Sequence, residues 1–181
     1  TVVLYQPETA EVFEKSCKEK NNELVFVKKP ALKAFEDIYE IFDYKDITDI
    51  KAGVGGIHQI ENAALAIEAL MRLGVETEII KKGIAAARNP GRFEKIDEHT
   101  VLDGAHNPGG ALALKTSLDR YFGDCEKIYL MGAMADKDVM AVLKCIGDKS
   151  SEFYFVRVKD NARAQTAENL AKIATDNGFT S

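Results

Sequence analysis

The sequence predicts an α/β chain whose second half is a doubly wound domain, and three observations carry that expectation. Past residue 89, short apolar runs alternate with segments of helical apolar period, in three successive strand-helix units. The first 27 residues show the same strand, helix, strand order, which favours a parallel pair joined by a helical crossover. Between the two lies the strongest turn signal in the chain, Arg88-Asn89-Pro90-Gly91-Arg92, and a domain boundary is expected there, dividing 1–88 from 89–181.

Taken in order, Val2-Val3-Leu4-Tyr5 reads as a strand, and the acidic start at Glu8 opens a helix over about 8–20. Leu24-Val25-Phe26-Val27 is the second strand. From 30 to 51, Phe35, Tyr39, Phe42 and Tyr44 are spread among acids with no clean period, so an irregular excursion is expected. Gly53-Val54-Gly55-Gly56 reads as a hinge or turn. A helix over 58–73 carries Ile60, Ala63, Ala64, Ile67, Leu70 and Met71 on one stripe, with Asn62, Ala66 and Ala69 on a small-residue face. Gly74 stops it, and a second helix is expected over 76–87. Beyond the boundary, strands at 92–96 and 100–103 precede a helix over 108–122. Strand 127–131 precedes helix 137–146, and strand 152–158 precedes helix 166–177.

Composition bounds the function. With 24 Lys plus Arg against 29 Asp plus Glu, the 181-residue chain has a formal charge of −5, which argues against a nucleic-acid partner. At 46% apolar and 29% charged residues it is an ordinary globular sequence. No apolar run approaches the ~20 residues that span a bilayer, so no membrane partner is expected. The start lacks the basic leader and apolar stretch of a secretory signal. Cys17, Cys125 and Cys145 form no C-x-x-C pair, and their odd number speaks against a disulfide framework, so a reducing cytoplasm is expected.

In open α/β sheets, ligands collect at the carboxyl ends of strands, where helix N-termini offer free N–H donors. Val101-Leu102-Asp103-Gly104-Ala105-His106-Asn107-Pro108-Gly109-Gly110 falls at such a place. Asp103 ends the strand, Asn107 can cap the helix, and Pro108 suits its first turn. Asp103 and His106 therefore project from one turn; the alternative is that both only satisfy loop backbone groups. In the next unit, Asp136 reads as an N-cap and Asp138 as an acid complementing the helix dipole. The third turn places Arg163 where an anion could be held, against the alternative of a solvated loop cation. There is no G-x-x-x-x-G-K-[ST] phosphate loop, and His58, His99 and His106 lack metal-ligand spacing, so no protein-ligated metal is expected in this chain.

Four motifs then occur in order: His58-Gln59-Ile60-Glu61-Asn62-Ala63-Ala64-Leu65-Ala66, Asn89-Pro90-Gly91-Arg92-Phe93-Glu94, Leu102-Asp103-Gly104-Ala105-His106-Asn107-Pro108 and Ala135-Asp136-Lys137-Asp138. Together they resemble folylpolyglutamate synthase, often bifunctional with dihydrofolate synthase, within the Mur ligase superfamily. The resemblance implies that 1–88 is the end of the family's central ATPase domain and 89–181 its C-terminal Rossmann-like domain, stopping short of the last strands. It implies a fragment, since family members are more than twice this long and carry the phosphate loop and magnesium ligands in the part missing here.

The family reaction converts a folate γ-carboxylate to an acyl phosphate with ATP, and the amine of L-glutamate displaces phosphate. By the same resemblance, Asn62, Arg92 and Asp103 are ATP-binding, with Asn62 at the adenine and Arg92 at the phosphates. Asp103 and His106 are the catalytic candidates, with His106 near the incoming glutamate; Arg163, from its place in the third turn rather than from the resemblance, is the other glutamate-binding candidate. ATP, folate, L-glutamate and Mg2+ are the implied small molecules, and the protein is expected to be a monomer. Two alternatives stay open: another Mur-type amino-acid ligase acting on a cell-wall precursor, or a non-catalytic nucleotide-binding or interaction domain.

Overall fold

The computed structural model describes residues 1–148 and 151–181. The chain packs as two units, Thr1–Leu102 and Asp103–Ser181.

The first unit opens with β1 (Val2–Leu4), α1 (Pro7–Glu19) and β2 (Val25–Val27), and β1 and β2 pair in parallel as expected. The stretch expected to be irregular is instead an antiparallel meander of β3 (Ala31–Glu36), β4 (Tyr39–Tyr44) and β5 (Ile47–Lys51). Its period of two is hidden because Glu40 takes an inward position beside Phe42 and Tyr44; all three are buried. The loops are the two-residue pairs Asp37-Ile38 and Lys45-Asp46, where Asp37 and Lys45 adopt positive φ in place of the glycines that normally announce a hairpin.

Helix α2 (Gln59–Arg72) follows, and its apolar stripe meets the meander through Ile60, Ala64 and Ile67, while Ala63, Leu70 and Met71 lie at the edge of the same core. Gly74, with φ +75°, ends it in a Schellman arrangement: Val75 N donates to Leu70 O at 3.1 Å and Gly74 N to Met71 O at 3.0 Å. After α3 (Thr77–Ala86), a short hairpin of β6 (Glu94–Lys95) and β7 (Val101–Leu102) completes the unit. The packing division at Leu102/Asp103 thus lies after the Asn-Pro-Gly turn at which the sequence reading divides the chain. Phe93 is fully buried in the first unit and Lys95 pairs with Asp37 at 2.6 Å, so 89–102 folds back onto it.

The second unit contains α4 (Pro108–Phe122), β8 (Ile128–Met131), α5 (Val139–Ile146), β9 (Glu152–Phe155) and α6 (Ala167–Thr175). β8 and β9 are parallel, and Thr180 bridges Glu152 in the same sense on the far side. Strand and helix alternate as expected, although β7 is hydrogen-bonded to β6 rather than to β8. One sheet face, carrying Tyr129, Met131, Phe153 and Phe155, packs on all three helices through Ala111, Leu143 and Leu170. Tyr129 stacks on Phe153 at 4.9 Å between ring centroids, and Phe179 meets Phe153 edge-on at 5.5 Å.

The start of α5 differs from expectation. Its N-cap is Asp138, whose Oδ1 accepts from Ala141 N at 3.0 Å, and the helix begins at Val139. Asp136 lies outside the helix and pairs elsewhere. Asp138→Ala is therefore expected to lower stability by about 1 kcal/mol and Asp138→Asn by much less, since asparagine caps equally well; urea unfolding of the three proteins checks this.

Candidate active-site residues

In the second unit, the backbone turns directly after β7. Asp103 Oδ1 accepts the amide hydrogen of Ala105 at 2.8 Å, a side-chain-closed turn that sharpens the exit from the strand. His106 Nδ1 lies 2.9 Å from the carbonyl oxygen of Gly104. A carbonyl oxygen can only accept, so Nδ1 carries the hydrogen and Nε2 is the acceptor of the neutral ring. Asn107 Oδ1 then accepts from Gly110 N at 2.8 Å and caps α4, with Pro108 at its first position, both as expected. Asp103 and His106 thus do satisfy loop backbone groups, the amide of Ala105 and the carbonyl of Gly104. For His106 that bond fixes the ring and sets Nε2 as its chemically useful nitrogen.

A cavity of about 210 Å³ lies against this turn, bounded by Ala105, His106, residues 131–134, Lys137, Val139 and Val142. It is smaller than the roughly 300–1,000 Å³ typical of sites for drug-sized ligands, and suits a compact metabolite. Its wall is mostly apolar. His106 and Lys137 are the ionisable residues that line it, and Lys137 Nζ lies 3.7 Å from Asp136 Oδ2. Lys137 has no role in the sequence reading; the available signal was its place just past a strand end, in the turn that follows β8.

The third turn is joined to the second by backbone bonds, Ala135 N to Arg163 O at 2.8 Å and Gln165 N to Ala133 O at 2.9 Å, around an antiparallel bridge between Met134 and Ala164. Arg163 Nη2 donates to Asp136 Oδ1 at 2.7 Å. That hydrogen bond from the guanidinium holds the Asp136 carboxyl below the usual carboxylate range. Arg163 is thus engaged with Asp136, and does not line the cavity.

In the first unit, Asn62 is exposed near the start of α2. Its Nδ2 donates to Gln59 Oε1 at 2.9 Å, and Gln59 Nε2 lies 3.0 Å from His58 Nε2, so the chain His58-Gln59-Asn62 sets the rotation of the Asn62 amide. Arg92 is also exposed, on a tied loop: its amide donates to Asn89 O at 3.1 Å, and Gly91 N donates to Glu94 Oε2 at 2.7 Å. The guanidinium is accessible to a ligand while its backbone is held. Among the described residues, no group of three or more His, Cys, Asp or Glu side chains could hold a metal ion. Nor is any helix among them long and apolar enough to cross a membrane.

Comparison with known proteins locates these groups in a family. Two curated relatives are a folylpolyglutamate synthase of Lacticaseibacillus casei, 34% identical over 135 residues, which cover 68% of this chain and 31% of that protein, and a dihydrofolate synthase/folylpolyglutamate synthase of Bacillus subtilis, 30% identical over 154 residues, covering 81% and 36%. The chain therefore spans about a third of the length of either. Among solved structures, E. coli FolC in complex with ADP superposes with a TM-score of 0.73 at 26% identity, over 92% of this chain and 41% of that one. The sequence model of the Mur ligase glutamate ligase domain matches residues 91–180. Residues 91–180 thus belong to the glutamate ligase domain family of the Mur ligases, and the chain is similar to folylpolyglutamate synthases over most of its length.

Proposed function

We propose that this chain is part of an ATP-dependent ligase that joins L-glutamate to the γ-carboxylate of a folate. In this reading ATP phosphorylates that carboxylate, the glutamate amine attacks the acyl carbon, and the tetrahedral intermediate expels phosphate while the amine loses its proton. The observation that carries the reading is the cavity beside the turn after β7, where an imidazole of defined tautomer and an ammonium share an otherwise apolar wall. His106 Nε2 is an acceptor suited to the amine proton, and Lys137 a counter-charge for a carboxylate of the incoming amino acid. Asp103 shapes the turn that presents His106. Arg163 contributes through Asp136 and the second turn rather than by direct contact with glutamate.

The first unit's contribution is the nucleotide. Arg92 offers a fixed charge and a forked set of donors to phosphate oxygens, and Asn62 an oriented amide to the base. The complex of FolC with ADP supports a nucleotide as the shared ligand. Magnesium would offset phosphate charge during transfer; the described residues hold no cluster that fits it, so its ligation is not assigned to them. A cytoplasmic setting belongs to the same reading, in keeping with three free cysteines.

The test is turnover of the full-length ligase carrying this chain, with ATP, L-glutamate and either a folate or a muropeptide acceptor. Phosphate release coupled to a γ-glutamyl folate product is the expected result. Release with the muropeptide alone would move the protein to a cell-wall ligase, and none with either acceptor would leave a binding role. His106→Ala is expected to reduce kcat about a hundredfold, the scale of one proton-transfer group, with the KM for ATP unchanged.

A further inference from the structure

Gly55 and Gly56 of the run Gly53-Val54-Gly55-Gly56 and the residue after Arg92 have no part in the chemistry above, yet the first unit builds them around each other. Phe93 is fully buried and its φ is +43°. A bulky residue is a marked outlier in that left-handed region and persists there only when its surroundings over-determine it. The surroundings here are the glycines. A Cβ on Gly55 would stand 2.5 Å from the Phe93 carbonyl oxygen and 2.6 Å from Ile38 Cδ1, and one on Gly56 would stand 3.3 Å from Phe93 Cβ. Gly56 N in turn donates to Ile38 O at 3.3 Å, tying this seat to the turn between β3 and β4.

The loop is also held on both sides of Phe93. Gly91 N is bonded to Glu94 Oε2 at 2.7 Å, Glu94 pairs with Leu102 in the β6–β7 hairpin, and Lys95 reaches Asp37 at 2.6 Å. Residues 91, 93, 94 and 95 are all anchored, and Arg92 is the exposed side chain among them. Such an arrangement is unnecessary for a solvated surface arginine. It is what a long, flexible cation needs if it must meet phosphate oxygens with little loss of orientation.

We infer that Phe93 is a positioning residue acting through Arg92: its buried side chain and its left-handed backbone, with carbonyl oxygen and Cβ against the Gly55-Gly56 seat, set the direction in which Arg92 leaves the loop to meet an anionic nucleotide. This rests on the ligase reading. It also gives Gly55 and Gly56 a definite role, as a surface that must lack side chains because Phe93 lies on it.

A double-mutant cycle in the full-length ligase tests the inference, with kcat, KM for ATP and a thermal melt for the wild type, Arg92→Ala, Phe93→Leu and the double variant. Phe93→Leu is expected to lower kcat/KM for ATP at least tenfold when Arg92 is present and less than twofold when alanine stands at 92, with the KM for glutamate within twofold throughout. Equal losses in both backgrounds overturn the inference, because a purely structural role does not depend on Arg92. Phe93→Met is the milder variant and is read by the same cycle if Phe93→Leu does not fold. Failure of the ligase reading shows separately, as a wild type without turnover; titration of the same four proteins with fluorescent ADP then reads the cycle as affinity, and absence of any ADP binding overturns both.

Discussion

Replacing Glu68 with leucine is expected to destabilise the chain by about 3 kcal/mol, seen as a lower urea midpoint at unchanged slope. The Glu68 side chain is 2% exposed and is the hub of a network. Its Oε2 accepts from the Tyr44 hydroxyl at 2.7 Å and lies 2.5 Å from Lys45 Nζ, while Oε1 accepts from Arg72 Nε at 3.1 Å. Arg72 continues to Glu23 at 2.6 Å. Leucine fills much of the same space but leaves a buried tyrosine hydroxyl with no acceptor and two cations with no common anion. Lys45 and Arg72 are 27% and 39% exposed and can rehydrate, which keeps the expected loss near the lower end of the range of about 3–5 kcal/mol for breaking a buried pair.

The same residue predicts a pH dependence. Burial pushes the Glu68 carboxyl up, but hydrogen bonds from Lys45, Tyr44 and Arg72 outweigh it and hold the group below its ordinary value of 4.5. A carboxyl depressed in the folded state contributes stability in full above its unfolded value, and that contribution is lost as pH falls through the folded one. The stability gap between wild type and Glu68→Gln is therefore expected to be constant near neutrality and to close below about pH 4.5. A gap that persists unchanged at pH 3 would show that the charge of Glu68 is not what holds the network.

Arg92→Ala is expected to lower ATP-dependent glutamate addition by the full-length ligase at least tenfold, while changing stability by no more than about 0.5 kcal/mol. The separation follows from placement: the side chain is exposed, so its removal leaves no cavity, and the loop beneath it is held by Gly91, Phe93 and Glu94. Paired N–H donors meeting phosphate oxygens make bonds about twice as strong as neutral ones. Arg92→Lys is expected to recover only part of the loss, because an ammonium lacks the fork. Steady-state turnover that stays unchanged in Arg92→Ala would remove this residue from the nucleotide site.

Much of the fold was legible because local signals agreed with one another. The helix over 108–122 is found as read, since Asn107 caps it, Pro108 fits its first turn and its apolar residues recur at helical spacing. The meander over 31–51 was not legible. Its inward strand positions include a glutamate, and its turns use Asp37 and Lys45 in a backbone conformation the sequence does not announce. At the site, Asp103, His106 and Asn107 stood out because they crowd a single turn after a strand. Asp136 and Asp138 were both visible, but their parts were displaced by one step: Asp138 caps α5, and Asp136 pairs with Arg163 from 27 residues away.

By itself, then, the sequence determined the alternation of strand and helix, the helix starts with their own capping residues, and the turn that carries Asp103 and His106, because each depends on neighbours within a few positions. Tertiary structure alone decided that His106 and Lys137 share a cavity, that Arg163 is committed to Asp136, that Glu68 is a buried charge with three partners, and that Phe93 rests on glycines almost forty positions earlier. Those pairings join distant segments, and packing selects them only once the sheet faces have chosen which side to bury.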